Sequence, residues 1–311
     1  MSNSVKLYDS KDRLISLVLD SLPSDSSKKA YRSSLERFLA WFQASGLSGF
    51  TRATVMQYRA ILLESGLSCA TVNLHLSAVR KLAQEAADNG MLPAQLASGI
   101  ARVKGVRKEG VRIGNWLTVA QAELLLMSPD LSTLAGKRDR ALLGVLLGCG
   151  LRRSEIAALT FAHVQQREAR WVIVDLVGKG QRTRSIPMPT WSKVLIDSWA
   201  VAANLTEGYV FRPVDKGDSL RGERMTAQSI FECVKKYAAK CGLEIAPHDL
   251  RRSFAKLAHK GKAALEQIQL SLGHASIVTT ERYLGVRQDL TDAPCDHLGI
   301  SVGTEPPVEG T

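Results

Sequence analysis

The chain has 311 residues, enough for two domains that each bury their own core, and a formal net charge of +11. That excess of Lys and Arg favours an extended polyanion as partner, nucleic acid before an anionic membrane, because basic side chains gain by displacing counterions condensed on phosphates. The longest apolar stretch, around residues 141–147, falls far short of the ~20 residues that cross a bilayer, and the five cysteines, Cys69, Cys149, Cys233, Cys241 and Cys295, are odd in number and form no Cys-x-x-Cys pair.

Residues 1–11 are polar and carry no apolar signal core. With the odd, scattered cysteines, this gives the expectation of a reducing, cytoplasmic setting and no membrane partner. From residue 24 to about residue 100 the pattern is helical, with start signals at Ser24, Ser27, Thr51, Ser68 and Thr71 and stop signals at Gly46, Gly66 and Gly90. Within 30–42, Tyr31, Leu35, Phe38, Leu39 and Phe42 recur at three- and four-residue spacing. They define a packing face that leaves Lys28, Lys29, Arg32 and Arg37 elsewhere. A second helix over 71–87 is expected to bury Leu74, Ala78, Val79 and Leu82 and to present Asn73, Ser77, Arg80 and Lys81 together. Lys28, Lys29, Arg32, Asn73, Arg80 and Lys81 are therefore candidate DNA contacts, suited to phosphates and base edges. One such basic helix face alone reads as solvated surface; two in one basic domain favour a polyanion.

Residues 102–112, with Lys104, Gly105, Arg107, Lys108 and Gly110, are charged, punctuated by glycine and poor in apolar side chains, as a linker is. The boundaries expected are a helical domain over 1–103, a linker over 104–114, a second domain over 115–300 and a flexible polar tail over 301–311. The second domain opens with helices at 118–127 and 134–147. Residues 171–177 are then β-branched and apolar, Gly178-Lys179-Gly180 turns, and 183–186 returns before Pro187, a hairpin with a lysine at its tip. More helices follow, so this domain is α+β with a small antiparallel sheet and the whole chain is mainly α.

Four segments of the second domain hold polar groups a core does not need. In Gly148-Cys149-Gly150-Leu151-Arg152-Arg153-Ser154-Glu155 an apolar helix ends at glycines and Arg152 follows at once, anchored to hold two phosphate oxygens. By itself Arg152 reads equally well as a C-cap or as the ion-pair partner of Glu155. Lys179 is a reachable donor, although Gly-Lys-Gly alone is an ordinary turn. His248 and Arg251 lie one turn apart at the start of a helix after Pro247. His274 precedes a short helix that carries Tyr283 towards its end; a lone tyrosine there is core or surface.

Taken together these residues resemble the signature of the tyrosine recombinase, or phage integrase, family. Gly-Leu-Arg ends in Arg152, the hairpin holds Lys179, His-x-x-Arg gives His248 and Arg251, Leu-Gly-His gives His274, and Tyr283 follows nine residues on. The likeness spans about residues 24–284, and the N-terminal half is similar to the family's helical core-binding domain. Cys149 stands where Thr is frequent in the family, a small departure.

The resemblance implies a SAM-like helical core-binding domain followed by a mixed catalytic domain of the DNA breaking-rejoining type. No arm-binding domain is expected ahead of it. It also implies catalysis by Arg152, Lys179, His248, Arg251, His274 and Tyr283. Tyr283 would form a 3′-phosphotyrosyl bond, Lys179 would protonate the 5′-oxygen, His248 would assist proton transfer, His274 would donate to the phosphate and Glu155 would position Arg152. The implied partners are double-stranded DNA core sites, a homotetramer on synapsed DNA with residues 290–300 packing on a neighbouring protomer, and accessory DNA-bending proteins. No cofactor or metal is expected, since a phosphotyrosine conserves the phosphodiester's free energy. A free phenol, with a pKa near ~10, needs cations or a base to activate it, and the two arginines and His248 are placed to supply them. A metal-dependent nuclease, which needs clustered carboxylates, a binding-only regulatory or architectural protein, and a type IB topoisomerase or hairpin-forming resolvase with the same chemistry stay open at this stage.

Overall fold

A computed structural model of the protein describes residues 11–107, 115–178, 183–274 and 276–284. Lys179, most of the linker, residues 290–300 and the tail 301–311 lie outside the described residues. The chain divides into two compact units, one within Met1–Val111 and one within Arg112–Thr311.

The first unit consists of α1 (Lys11–Asp20), α2 (Asp25–Ala44), α3 (Arg52–Glu64), α4 (Cys69–Asp88) and α5 (Ala94–Ala101). Ser24, Thr51 and Ser68 cap α2, α3 and α4, each side-chain oxygen accepting from the backbone N–H three residues on. Gly46, Gly66 and Gly90 all take positive φ, the left-handed turn with which a helix commonly stops. Helix α4 packs against α1, α2, α3 and α5, around a core that includes Phe38, whose ring meets the Tyr58 ring edge-on at 5.0 Å.

Two expectations need correction here. Helix α1 lies ahead of the expected helical region, and its Leu14, Ile15, Val18 and Leu19 are all buried. Leu74 is exposed, whereas Val72, His75 and Leu76 are buried on α4. Ala78, Val79 and Leu82 are buried as expected, but a helix packed by four others buries more than one stripe, so periodicity alone misplaces Leu74 and omits Val72, His75 and Leu76.

The second unit contains α6 (Val119–Met127), α7 (Leu134–Cys149), α8 (Arg153–Ala157), β1 (Val164–Arg167), β2 (Arg170–Val177), β3 (Thr183–Pro187), α9 (Thr190–Ala202), α10 (Ala227–Lys240), α11 (Pro247–Lys260), α12 (Leu265–Leu272) and α13 (Ile277–Leu284). Leu142, Leu143, Val145 and Leu146 of α7 are all buried, so the second half of that helix is apolar all round and lies in the core, and the helix is packed by α6, α8, α9 and α11. The sheet is antiparallel in the order β1-β2-β3, with Ile173 of β2 opposite Val164 on one side and Ile186 on the other. The hairpin β2–β3 matches the sequence expectation, while the polar edge strand β1, Val-Gln-Gln-Arg, was not anticipated. The architecture is thus mainly α with one small antiparallel sheet. No described helix is long and apolar enough to cross a membrane.

Candidate active site

The end of α7 sets the first arginine. Gly150 closes that helix at φ +61°, and a Cβ on it would lie 2.6 Å from the Phe254 ring, so only glycine fits this turn against α11. Two residues later Arg152 stands just ahead of α8, where Glu155 grips it twice: Oε2 accepts the Arg152 backbone N–H at 2.8 Å and Oε1 accepts Nη1 at 2.7 Å. Arg184 on β3 approaches the same carboxylate from the other side, donating from Nη1 and Nη2 at 2.9 Å each. Glu155 is only 3% exposed. Burial by itself raises its pKa, but the hydrogen bonds from Arg184 and Arg152 outweigh that and hold it below the usual carboxylate range.

The second arginine, Arg251, is buried on α11. Its Nη1 donates to the Gly150 carbonyl at 2.6 Å and its Nη2 to the Leu272 carbonyl. Arg152 Nη2 also reaches the Leu272 carbonyl, at 3.5 Å. The two guanidiniums therefore converge on one main-chain oxygen at the end of α12, where Gly273 turns the chain at φ +60°.

An imidazole stands on either side. His248, itself exposed, sits one turn before Arg251 in the first turn of α11, which Asp249 caps by accepting the Ala246 N–H. Partial desolvation, then the charges of Arg252 and Arg251, lower its pKa. His274 follows Gly273, and its Nδ1 lies 2.9 Å from the Thr280 hydroxyl, which is fully buried on α13. Desolvation, then Arg251 and Arg152, push the pKa of His274 down to about 4, so the ring is neutral at pH 7. The tautomer in which Thr280 donates to Nδ1 carries its proton on Nε2 and offers that nitrogen as a donor.

Arg152 separates two recesses. One, of about 450 Å³, is bordered by Arg153, Ser154, Phe231, His248 and Arg251. The other, of about 170 Å³, is bordered by Thr183, Arg184, Gln269 and His274. Four of the six expected catalytic residues, Arg152, His248, Arg251 and His274, are thus brought together. Lys179 lies outside the described residues, but Gly178 beside it is within reach of the cluster: a Cβ there would come 3.3 Å from Glu155 and 3.5 Å from Arg152. Tyr283 is on α13, which packs on α11 and α12; its side chain lies outside the described set.

Among the expected DNA contacts, Lys29 and Arg32 are exposed on α2 and Lys28 is half-buried. Asn73 and Arg80 hold the chain's own backbone: Asn73 exchanges two hydrogen bonds with Val106, and Arg80 donates to the Val103 carbonyl. Lys81 pairs with Glu85 at 2.8 Å. Sequence reasoning missed Arg184 and Thr280. A signal for Arg184 was present, since it shares its face of β3 with buried Ile186, and an arginine on an inward strand face needs a buried partner.

The family model described as "Phage integrase family" matches residues 115–289, and "Phage integrase, N-terminal SAM-like domain" matches residues 14–90. Tyrosine recombinase XerD of Pseudomonas aeruginosa is 32% identical over 282 residues, covering 88% of this chain and 91% of its own. Tyrosine recombinase XerC of Yersinia pestis is 29% identical over 262 residues, 82% of each chain. Among solved structures, the XerH site-specific recombinase bound to palindromic difH substrate in a post-cleavage complex superposes with a TM-score of 0.68 at 20% identity, covering 84% of this chain and 76% of that one. A lambda integrase(75-356) dimer bound to a COC′ core site gives 0.67 at 14% identity, covering 89% and 95%. At these identities the structural likeness concerns the fold.

Proposed function

The chain belongs to the phage integrase family, and from that premise we propose that it is a site-specific DNA recombinase that cuts and rejoins strands at double-stranded core sites through Tyr283. The single observation that carries the chemistry is the convergence of Arg152 and Arg251 on the Leu272 carbonyl between two imidazoles. Two fixed guanidiniums neutralise the two non-bridging oxygens of a phosphodiester, and their positions need no reorganisation as charge develops in the transition state. The same cation field favours the phenolate of an incoming tyrosine.

In the reaction the Tyr283 phenolic oxygen bonds to phosphorus, the phosphorus–O5′ bond breaks, and a 3′-phosphotyrosine and a 5′-hydroxyl result. Lys179 supplies the proton to the departing 5′-oxygen, His248 assists transfer of the phenol proton, and His274 donates a hydrogen bond to the phosphate through Nε2. A 5′-hydroxyl from a second duplex then reverses the step on a new strand. Neither nucleotide hydrolysis nor a metal enters this scheme. The helical domain over 1–103 grips the core site, the linker over 104–114 follows the DNA, and residues 115–300 carry the chemistry as a homotetramer on synapsed sites, with accessory DNA-bending proteins. Such exchange serves integration, excision or resolution of a mobile element or replicon.

The test is a nicked suicide duplex bearing the core site. Wild-type protein is expected to become covalently attached to it, and Tyr283→Phe to bind with unchanged affinity and form no adduct. An adduct that persists in Tyr283→Phe refutes the assignment.

A further inference from the structure

The geometry points to Arg184 as a positioning residue for this reaction: by pairing with Glu155 it keeps the positive charge of Arg152 available to the DNA phosphate. The inference rests on the recombinase reading and names a residue that the six-membered signature does not contain.

Glu155 is almost fully buried and carries one negative charge, yet two guanidiniums and a backbone N–H share its oxygens. Oε1 accepts from Arg152 Nη1 and Arg184 Nη1, while Oε2 accepts from the Arg152 backbone and Arg184 Nη2. The trio keeps one net positive charge. Arg184 provides the paired, two-pronged contact, its side chain only 11% exposed, whereas Arg152 gives the carboxylate a single side-chain nitrogen and is 27% exposed towards the recesses. The more buried cation thus satisfies the carboxylate and the more accessible one faces the substrate. Without Arg184, Glu155 would pair with Arg152 alone and largely cancel its field in a low-dielectric setting.

Arg184 does a second positioning job. Its Nε donates to the Ser271 carbonyl at 3.1 Å, and its Cδ lies where a Cβ on Gly273 would come within 2.8 Å. The side chain therefore also braces the turn that aims the Leu272 carbonyl at both arginines and leads into His274.

A charge-compensation cycle tests this on the full-length protein with the nicked suicide duplex at saturating DNA. Arg184→Gln is expected to slow adduct formation about 10²-fold, the scale of one lost transition-state charge contact, with affinity for DNA within about 3-fold of wild type, since binding is spread over many phosphate contacts. Glu155→Gln in the Arg184→Gln background removes the unopposed negative charge and is expected to recover at least about 5-fold of that loss, a coupling that a pure packing role does not produce. A double variant no faster than Arg184→Gln, or an Arg184→Gln protein as fast as wild type, overturns the inference while leaving the recombinase reading intact. A wild-type protein that forms no adduct overturns both. If Arg184→Gln shows no cooperative melting transition, Arg184→Lys carries the test: with the charge kept, the rate is expected within about 10-fold of wild type, and a larger loss refutes charge compensation.

Discussion

Gly150→Ala links fold and chemistry at one backbone position. The residue is held at φ +61°, where an L side chain costs about 1–2 kcal/mol. The new Cβ would stand 2.6, 2.9 and 3.2 Å from three atoms of the Phe254 ring. A packed aromatic ring cannot swing away as a lysine tip does, so overpacking adds about 1–3 kcal/mol. The expected destabilisation of about 2–5 kcal/mol lowers the Tm of the second unit by about 5–20 °C in a domain of this size, read by circular dichroism. Gly46→Ala is the control, because Gly46 has the same left-handed φ but nothing within 4 Å of the added carbon, leaving only the backbone part. Since the Gly150 carbonyl also anchors Arg251, adduct formation by Gly150→Ala is expected to fall even well below its Tm. Equal Tm losses in the two variants would refute the steric argument.

Arg152→Ala and Arg251→Ala are each expected to slow cleavage of bound DNA by at least ~10²-fold; weakened binding with normal cleavage contradicts the phosphate-clamp role. Lys179→Ala is expected to recover on a duplex with a 5′-bridging phosphorothiolate, whose sulfur leaves without a proton, and no recovery moves the general acid elsewhere. His274, with its folded pKa of about 4 below the unfolded value of 6.5, binds fewer protons folded than unfolded between those pH values. Its contribution to stability is therefore complete above pH 6.5 and lost as pH falls towards 4. Urea midpoints at pH 7 and pH 5 are expected to differ less in His274→Asn than in wild type, and equal differences contradict the shift. Ser253 is fully buried and its hydroxyl accepts the Leu117 N–H while donating to the Asp249 carbonyl. Ser253→Ala strands that N–H and should destabilise by about 1–3 kcal/mol, so an unchanged Tm counts against the bond.

The features readable from the sequence were those whose physics is local. Ser24, Thr51 and Ser68 announced their helices because a cap and its N–H partner lie three residues apart, and Gly178 between two β-rich runs announced the hairpin. Arg152, His248, Arg251 and His274 were found through their motifs, and the structure shows why such short words belong together: each sits beside a helix end that meets the others near Leu272. The strand face of Arg184 signals a buried partner but not which one, because its partners are 29 and 87 residues away, at Glu155 and Ser271. Helix α1 went unread although Asp9 and Ser10 stand where a start signal belongs: its ten residues are too few to hold a helix alone and dock on α2 and α4. Asn73 and Arg80 carry a role that polarity alone does not announce: both bond to residues 103–106 of their own chain.

The carbonyl of Leu272 carries a lesson for anyone dissecting this centre by mutagenesis. As an acceptor supplied by the peptide unit, it is silent in a side-chain scan: replacing Leu272 deletes a core leucine and leaves the oxygen in place. Such a scan would file the position under packing, although two cations take their bearings from it. Swapping the Leu272–Gly273 amide for an ester weakens that oxygen as an acceptor and spares every side chain, removing besides only the Gly273 N–H that donates to the Leu270 carbonyl at 3.0 Å, and is the substitution that would expose its part.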